Sequence, residues 1–337
     1  MALKDVLGQE RALRILSGTL RRDRVPSAML FSGDSGIGKR LAAINYAKAI
    51  NCARPEGYDS CDECVSCHKI GAATHPDVLT VTLENVEDTL SLKEKTGKDK
   101  SRYEYPIEAV HKIEEILYLS PYEGRKKIII IDDADVMNIN AANAFLKTLE
   151  EPPPDSLIIL VSSSPDRLPD TIRSRCVQIK FYPLPLDGCK VVMSKHIDEK
   201  DMDFVLNIAM GRPGLAVSAD LIKERERFTE ILNGMIRGES KDAWADKGEI
   251  RSWLDMASVM LRDMAVSSEF GVKSSEFLIF SDVVSAKSTL NAQRSTLNDV
   301  LNAYQEMQQL KGLLDFNLNK SITWNYVSTI MRQVMEV

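Results

Sequence analysis

The stretch Gly33-Asp34-Ser35-Gly36-Ile37-Gly38-Lys39-Arg40 sets three glycines ahead of a lysine. Glycine permits backbone conformations and close approaches that a side chain forbids, so successive N–H groups can ring a phosphate at the start of a helix. Lys39 would then reach the outer phosphate oxygens. The next position ordinarily carries a Ser or Thr hydroxyl for magnesium, a small cation that demands oxygen ligands in strict geometry. Arg40 offers no oxygen and adds a positive charge. The stretch is therefore a nucleotide hydrolase's loop with one odd residue, the remains of such a loop, or a chance match. A strand-like run at 28–31 before it and helical periodicity over 39–50 after it speak against chance.

Further along, four isoleucines at 128–131 end in Asp132-Asp133. Such a run reads as a buried parallel strand delivering carboxylates to its C-terminal edge, where ligands sit in open α/β sheets. In a working ATPase the first acid helps to hold the metal and a following Glu polarises the attacking water. Asp133 is one methylene shorter than that Glu. The plainer reading is a pair of acids that end a strand and cap the next turn.

Cys52, Cys61, Cys64 and Cys67 fall within sixteen residues, spaced Cys-x8-Cys-x2-Cys-x2-Cys, while Cys176 and Cys189 stand alone. Two Cys-x-x-Cys steps that share Cys64 form a knuckle, and Cys52 supplies a fourth sulfur. Four thiolates suit a closed, tetrahedral, structural zinc site. An iron–sulfur cluster and a set of free thiols are the alternatives, and His68 is the alternative ligand. A last arginine, Arg175 in 166–181 (DRLPDTIRSRCVQIKF), ends a polar helix just ahead of a strand. It is either an ordinary surface charge or, in a ring of ATPases, a finger into a neighbour's γ-phosphate.

These residues need elements to hold them. Strands are expected at 28–31, 78–82, 127–131, 156–161 and 177–181, with helices at 39–50, 107–119 and 140–150 between them, the last stopped by Pro152-Pro153-Pro154. Alternation of this kind predicts a parallel sheet covered by helices, an α/β domain over 1–182. Residues 93–102 (KEKTGKDKSR) are polar and without period, the pattern of a surface loop. Past Pro183 and Pro185 strand signals fade. A short helical segment to about 224, broken at Gly211-Arg212-Pro213-Gly214, and longer amphipathic helices over 225–337 complete three parts.

The chain has 337 residues, 44% hydrophobic and 27% charged, with a net charge of -6. That balance is ordinary for a soluble globular protein and argues against wholesale coating of nucleic acid. Without a transmembrane run or a secretion signal, a cytoplasmic protein is expected, and clustered thiols then favour metal over disulfides.

Four longer stretches carry a resemblance: 75–78 (HPDV), 120–135 (SPYEGRKKIIIIDDAD), 140–153 (NAANAFLKTLEEPP) and 168–176 (LPDTIRSRC). They closely resemble the clamp-loader AAA+ proteins of the bacterial replicative DNA polymerase. The four-cysteine module after the glycine-loop helix is typical of the family's bacterial members. Beyond 182 the resemblance thins to 316–319 (FNLN). It implies a RecA-like AAA+ domain over 1–182 with an inserted zinc module at about 52–67, a helical lid over 183–224 and a helical collar over 225–337.

Within that family, subunits that hydrolyse ATP differ from the subunit that caps the motor ring. A motor subunit should show Gly-Lys-Thr or Gly-Lys-Ser, Asp-Glu, a Thr as first sensor and an Arg as second sensor. This chain has Lys39-Arg40, Asp132-Asp133, Ser163, and, aligned through 211–214, Gly214, with Arg212 two residues early. The resemblance thus implies a subunit with no ATPase of its own, and doubtful ATP and magnesium binding at Gly33, Gly36, Gly38, Lys39, Arg40, Asp132, Asp133 and Ser163. Arg175 would serve in trans as an arginine finger. The implied partners are motor and wrench subunits in a hetero-pentamer, and through them the sliding clamp and primed DNA. An ATP-hydrolysing motor subunit is the alternative.

Overall fold

A computed structural model describes residues 1–91, 104–199, 202, 205–206, 209–218, 221–238, 244, 247–270, 280, 297–313 and 319–335. The polar stretch at 93–102 and residues 316–318 of the 316–319 motif lie outside the described residues. Two compact units share the chain: residues 1–192 with 211–215, and residues 193–210 with 216–337.

The first unit is built on five strands, β1 (Ala28–Ser32), β2 (Val78–Val81), β3 (Lys127–Ile131), β4 (Ser156–Ser162) and β5 (Val177–Lys180). Their order is β2-β3-β4-β1-β5 and every pairing is parallel. β1, β3 and β4 are buried along their whole length, as expected of a parallel sheet covered on both faces. Because the strands run one way, their C-terminal ends line a single edge. The glycine loop leaves β1 there, Asp132 leaves β3, and Ser163 leaves β4.

Around the sheet lie α1 (Glu10–Arg21), α2 (Lys39–Asn51), α3 (Val65–Gly71), α4 (Val86–Thr89), α5 (Ile107–Leu117), α6 (Ile139–Glu150), α7 (Asp170–Arg173) and α8 (Leu186–Met193). Helix α5 stops two residues short of its expected end. Tyr118 and Leu119 are exposed, and Pro121 disfavours helical geometry in the residue before it. Ile113 and Leu117 of α5 and Phe145 and Leu149 of α6 pack with Ile129 and Ile131 of β3 in one core.

The second unit carries helices and no strand among its described residues. Helices Leu221–Arg237, Lys247–Phe270, Leu297–Leu313 and Lys320–Met335 contribute to one apolar core. Its centre is aromatic: Trp244 meets Trp253 and Trp324 with ring centroids 5.8 and 5.1 Å apart, and Phe228 meets Trp253 at 5.1 Å. The step after residue 224 falls inside the continuous helix Leu221–Arg237. No described helix is long and apolar enough to cross a membrane.

Candidate functional site

Between Ser32 and α2 the backbone turns through three glycines with positive φ: 142° at Gly33, 79° at Gly36 and 93° at Gly38. A Cβ on Gly33 would lie 2.4 Å from the Phe181 carbonyl oxygen. Only glycine combines that backbone with that approach. Gly38 caps α2 in the left-handed conformation. Lys39 is nearly buried, and its ammonium folds back to donate to the carbonyls of Gly33 at 2.7 Å and Asp34 at 2.6 Å. Burial lowers its pKa, against the pull of Asp132, Asp133, Asp135 and Asp34.

Arg40 reaches across to Asp132, Nη1 to Oδ2, at 3.1 Å. A guanidinium therefore rests on the carboxylate that in a working loop would face magnesium. The second acid, Asp133, has φ 47° and ψ 44°, a left-handed conformation that Asp tolerates better than most residues. Burial, then repulsion from Asp132 and Asp135, raises its pKa. Ser163 lies just past β4 and donates its N–H to Asp135 Oδ1 at 3.1 Å.

Residues 211–215 return to this edge of the same unit. Gly214 donates its N–H to the Gly36 carbonyl at 2.8 Å, and a Cβ on Gly36 would stand 2.8 Å from the Leu215 nitrogen. The loop and the returning segment touch backbone to backbone.

Arg175 sits elsewhere. It follows α7 and precedes β5, whose Val177 pairs with Met29 of β1 in parallel register. It therefore lies at the N-terminal edge of the sheet, while the glycine loop leaves the C-terminal edge. A four-residue strand puts about 10–13 Å between those edges. Its Nη1 donates to the Thr171 carbonyl at 2.8 Å, and Nη2 pairs with the Glu150 carboxylate.

The four cysteines meet at the junction of α2 and α3. All four sulfurs lie within 4.8 Å of one another, with Cys52 3.5 Å from Cys61 and 3.9 Å from Cys64. Four thiolates around one ion at about 2.3 Å require sulfurs roughly 3.8 Å apart, so the set fits a single metal ion. Backbone N–H groups of Cys61, Cys64 and Cys67 donate to the sulfurs of Cys52, Cys61 and Cys64 at 3.3–3.4 Å. Burial raises the Cys64 thiol, but the N–H groups of Cys67 and Ala53 and the thiols of Cys67 and Cys61 outweigh it and bring it down to about 6. Burial pushes Cys52 and Cys67 up. His68 is exposed, outside the cysteine set.

Sequence reasoning missed the residues that hold this site's frame. Buried Asp77 accepts backbone N–H groups from Tyr122, Glu123 and Gly124 at 2.7–2.8 Å and pairs with buried Lys127 at 2.9 Å. The Asn51 amide, one residue before Cys52, accepts from the nitrogens of Arg125 and Lys126 and donates to the Lys126 carbonyl, each at 2.9 Å. His75 Nδ1 accepts the Asp77 N–H at 3.0 Å, so its neutral ring carries the proton on Nε2, 3.1 Å from Ser66 Oγ. Buried Tyr105 donates toward the carbonyls of Asp132 at 2.7 Å and Val81 at 3.2 Å. For His75, Asp77 and their partners at 122–127 the sequence signal was the stretches 75–78 and 120–127, whereas Asn51 and Tyr105 lie outside both.

A parallel sheet in this order, with a glycine loop on β1 and acids at the end of β3, defines an AAA+ protein. The family described as "DNA polymerase III, delta subunit" matches residues 8–185, more than half of the chain, and the chain belongs to it. It is similar to DNA polymerase III subunit delta' of Bacillus subtilis (strain 168), 28% identical over a 328-position alignment that covers 92% of each chain. It is also similar to subunit delta' of Pseudomonas aeruginosa, 36% identical over 47% of this chain and 43% of that one. Subunit tau of Bacillus subtilis is 30% identical over 86% of this chain, which spans only 45% of tau.

Proposed function

We propose that this DNA polymerase III clamp-loader subunit is a stator: it hydrolyses no ATP and lends Arg175 to nucleotide bound by a neighbouring motor subunit. The observation that carries this reading is the position of Arg175 at the sheet edge opposite the chain's own loop. An arginine there cannot serve the nucleotide of its own chain, whereas an outward-facing guanidinium suits a neighbour's γ-phosphate. The loop supports it from the other side. Arg40 fills the cation's place on Asp132, Asp133 is short for the Glu role, and Gly214 leaves no room for a second-sensor side chain.

The same reading assigns residues 1–182 to the AAA+ body, the following residues from 183 to a lid and the remainder to a collar in a cytoplasmic hetero-pentamer, the collar beginning with the helix Leu221–Arg237 and not after 224. Motor and wrench subunits are then its direct partners, with the sliding clamp and primed DNA reached through the complex. The ion held by Cys52, Cys61, Cys64 and Cys67 is structural zinc, because four thiolates leave no open coordination position. A second reading, an ATP-hydrolysing motor subunit, draws on the similarity to tau over 86% of this chain.

ATP turnover of the isolated chain and of the loader reconstituted with motor subunits separates the two. The stator has no magnesium-dependent turnover alone, and Arg175→Ala leaves assembly intact while reducing turnover of the complex. Hydrolysis by the lone chain that disappears with Lys39→Ala identifies a motor. Unchanged turnover of the Arg175→Ala complex removes the finger.

A further inference from the structure

Glu150 is the last residue of α6, which Asn138 caps by accepting the Ala141 N–H and which ends before Pro152-Pro153-Pro154. Its carboxylate meets Arg175 Nη2, while the Thr171 carbonyl takes Nη1 at 2.8 Å. Two elements, the end of α6 through Glu150 and the first turn of α7 through Thr171, thus hold one guanidinium from two directions. The pair remains partly open to solvent, Arg175 at 34% and Glu150 at 50% side-chain exposure. A guanidinium carries five N–H donors, so two fixed bonds leave three for a phosphate arriving from outside. A long side chain held in this way has already lost part of its rotamer freedom before its ligand comes.

Arg173, two residues earlier, has a different setting. Its Nη1 meets the carboxylate of Asp166, seven residues earlier, and its Nη2 that of Asp170 on its own helix α7. Glu150, by contrast, ties Arg175 to α6, a helix that starts a few residues after the acids at the end of β3.

We propose that Glu150 is a positioning residue for Arg175: it fixes the guanidinium's direction before a neighbouring subunit's nucleotide arrives, without touching that nucleotide. The proposal rests on the finger reading above. A carboxylate that merely decorates the surface would change neither turnover nor its dependence on Arg175.

The test uses the reconstituted loader with Glu150→Ala, Glu150→Gln, Arg175→Ala and the double variant Glu150→Ala/Arg175→Ala. Glu150→Ala should lower kcat for ATP roughly two- to fivefold, the scale of an exposed ion pair, with assembly and unfolding midpoint unchanged. Glu150→Gln, which keeps an acceptor in place, should recover most of that loss. In the double variant the Glu150→Ala effect should vanish, because there is no guanidinium left to position. Wild-type turnover of Glu150→Ala beside a defective Arg175→Ala overturns the positioning role and leaves the finger standing. An equal loss from Glu150→Ala in both backgrounds also overturns it, and points to a structural effect. If Arg175→Ala itself is fully active, the finger reading falls and the proposal falls with it.

Discussion

Gly214 and Gly36 meet through their backbones: the N–H of one donates to the carbonyl of the other at 2.8 Å, and a Cβ on Gly214 would stand 2.8 Å from that same oxygen. The position aligned with the second-sensor arginine is thus closed to any side chain.

Gly214→Ala should therefore destabilise the protein by about 1–3 kcal/mol, the usual cost of overpacking a close contact. Urea unfolding measures it. Gly214→Arg should cost more and should not tighten ATP binding. A wild-type unfolding midpoint for Gly214→Ala would contradict the close contact.

Arg40→Thr restores the hydroxyl that the loop lacks and removes the ion pair with Asp132. Because the Arg40 end of that pair is exposed to solvent, stability should shift by less than about 1 kcal/mol. Calorimetric ATP titrations should become more dependent on magnesium, while hydrolysis stays at background because Asp133 and Gly214 are unchanged. Turnover appearing in this variant would show that Arg40 alone silences the loop.

Acid should weaken the fold in two steps. Burial keeps the His75 pKa below its ordinary value, so as pH falls below about 6.5 the unfolded chain takes up a proton that the folded one refuses. Burial also works to raise Asp77, but the N–H groups of Tyr122, Glu123 and Gly124 and the ammonium of Lys127 overcome it and hold the carboxyl well below the usual range. Its contribution is complete above about pH 4 and is lost as pH falls toward the folded value. Urea midpoints at pH 8, 5.5 and 3.5 should decline in that order. Asp77→Asn should remove the lower step and cost about 3–5 kcal/mol at neutral pH, since Lys127 is left buried without its counter-charge.

Metal analysis of the purified chain should find about one zinc per chain, and Cys64→Ser or a strong chelator should release it and lower the melting temperature. A metal-free protein that melts at the same temperature would rule the site out.

The strands and the meeting of the four cysteines were legible because their signals are local. Five apolar runs at 28–31, 78–82, 127–131, 156–161 and 177–181 became the five strands to within a residue at either end. The cysteine spacing by itself led to the four sulfurs that meet. Asp77, Asn51 and Glu150 were not legible, because each acts on a partner far along the chain. Asp77 binds residues 122–124, Asn51 binds 125–126, and Glu150 binds Arg175. Nothing in the spacing around an Asp, an Asn or a Glu names a partner brought to it only when the sheet closes. The contact of Gly214 with Gly36 was hidden for the same reason, since an absent side chain leaves no pattern to read.

Ser66, between Cys64 and Cys67, donates its hydroxyl to the Asn51 carbonyl at 2.7 Å and faces His75, while the Asn51 side chain grips the entry to β3. The cysteine module is therefore no detachable cassette. Excising it would unpin the first residues of a central strand, and a transplant into another AAA+ body would have to bring Asn51, His75, Asp77 and the 120–127 turn along with the thiols.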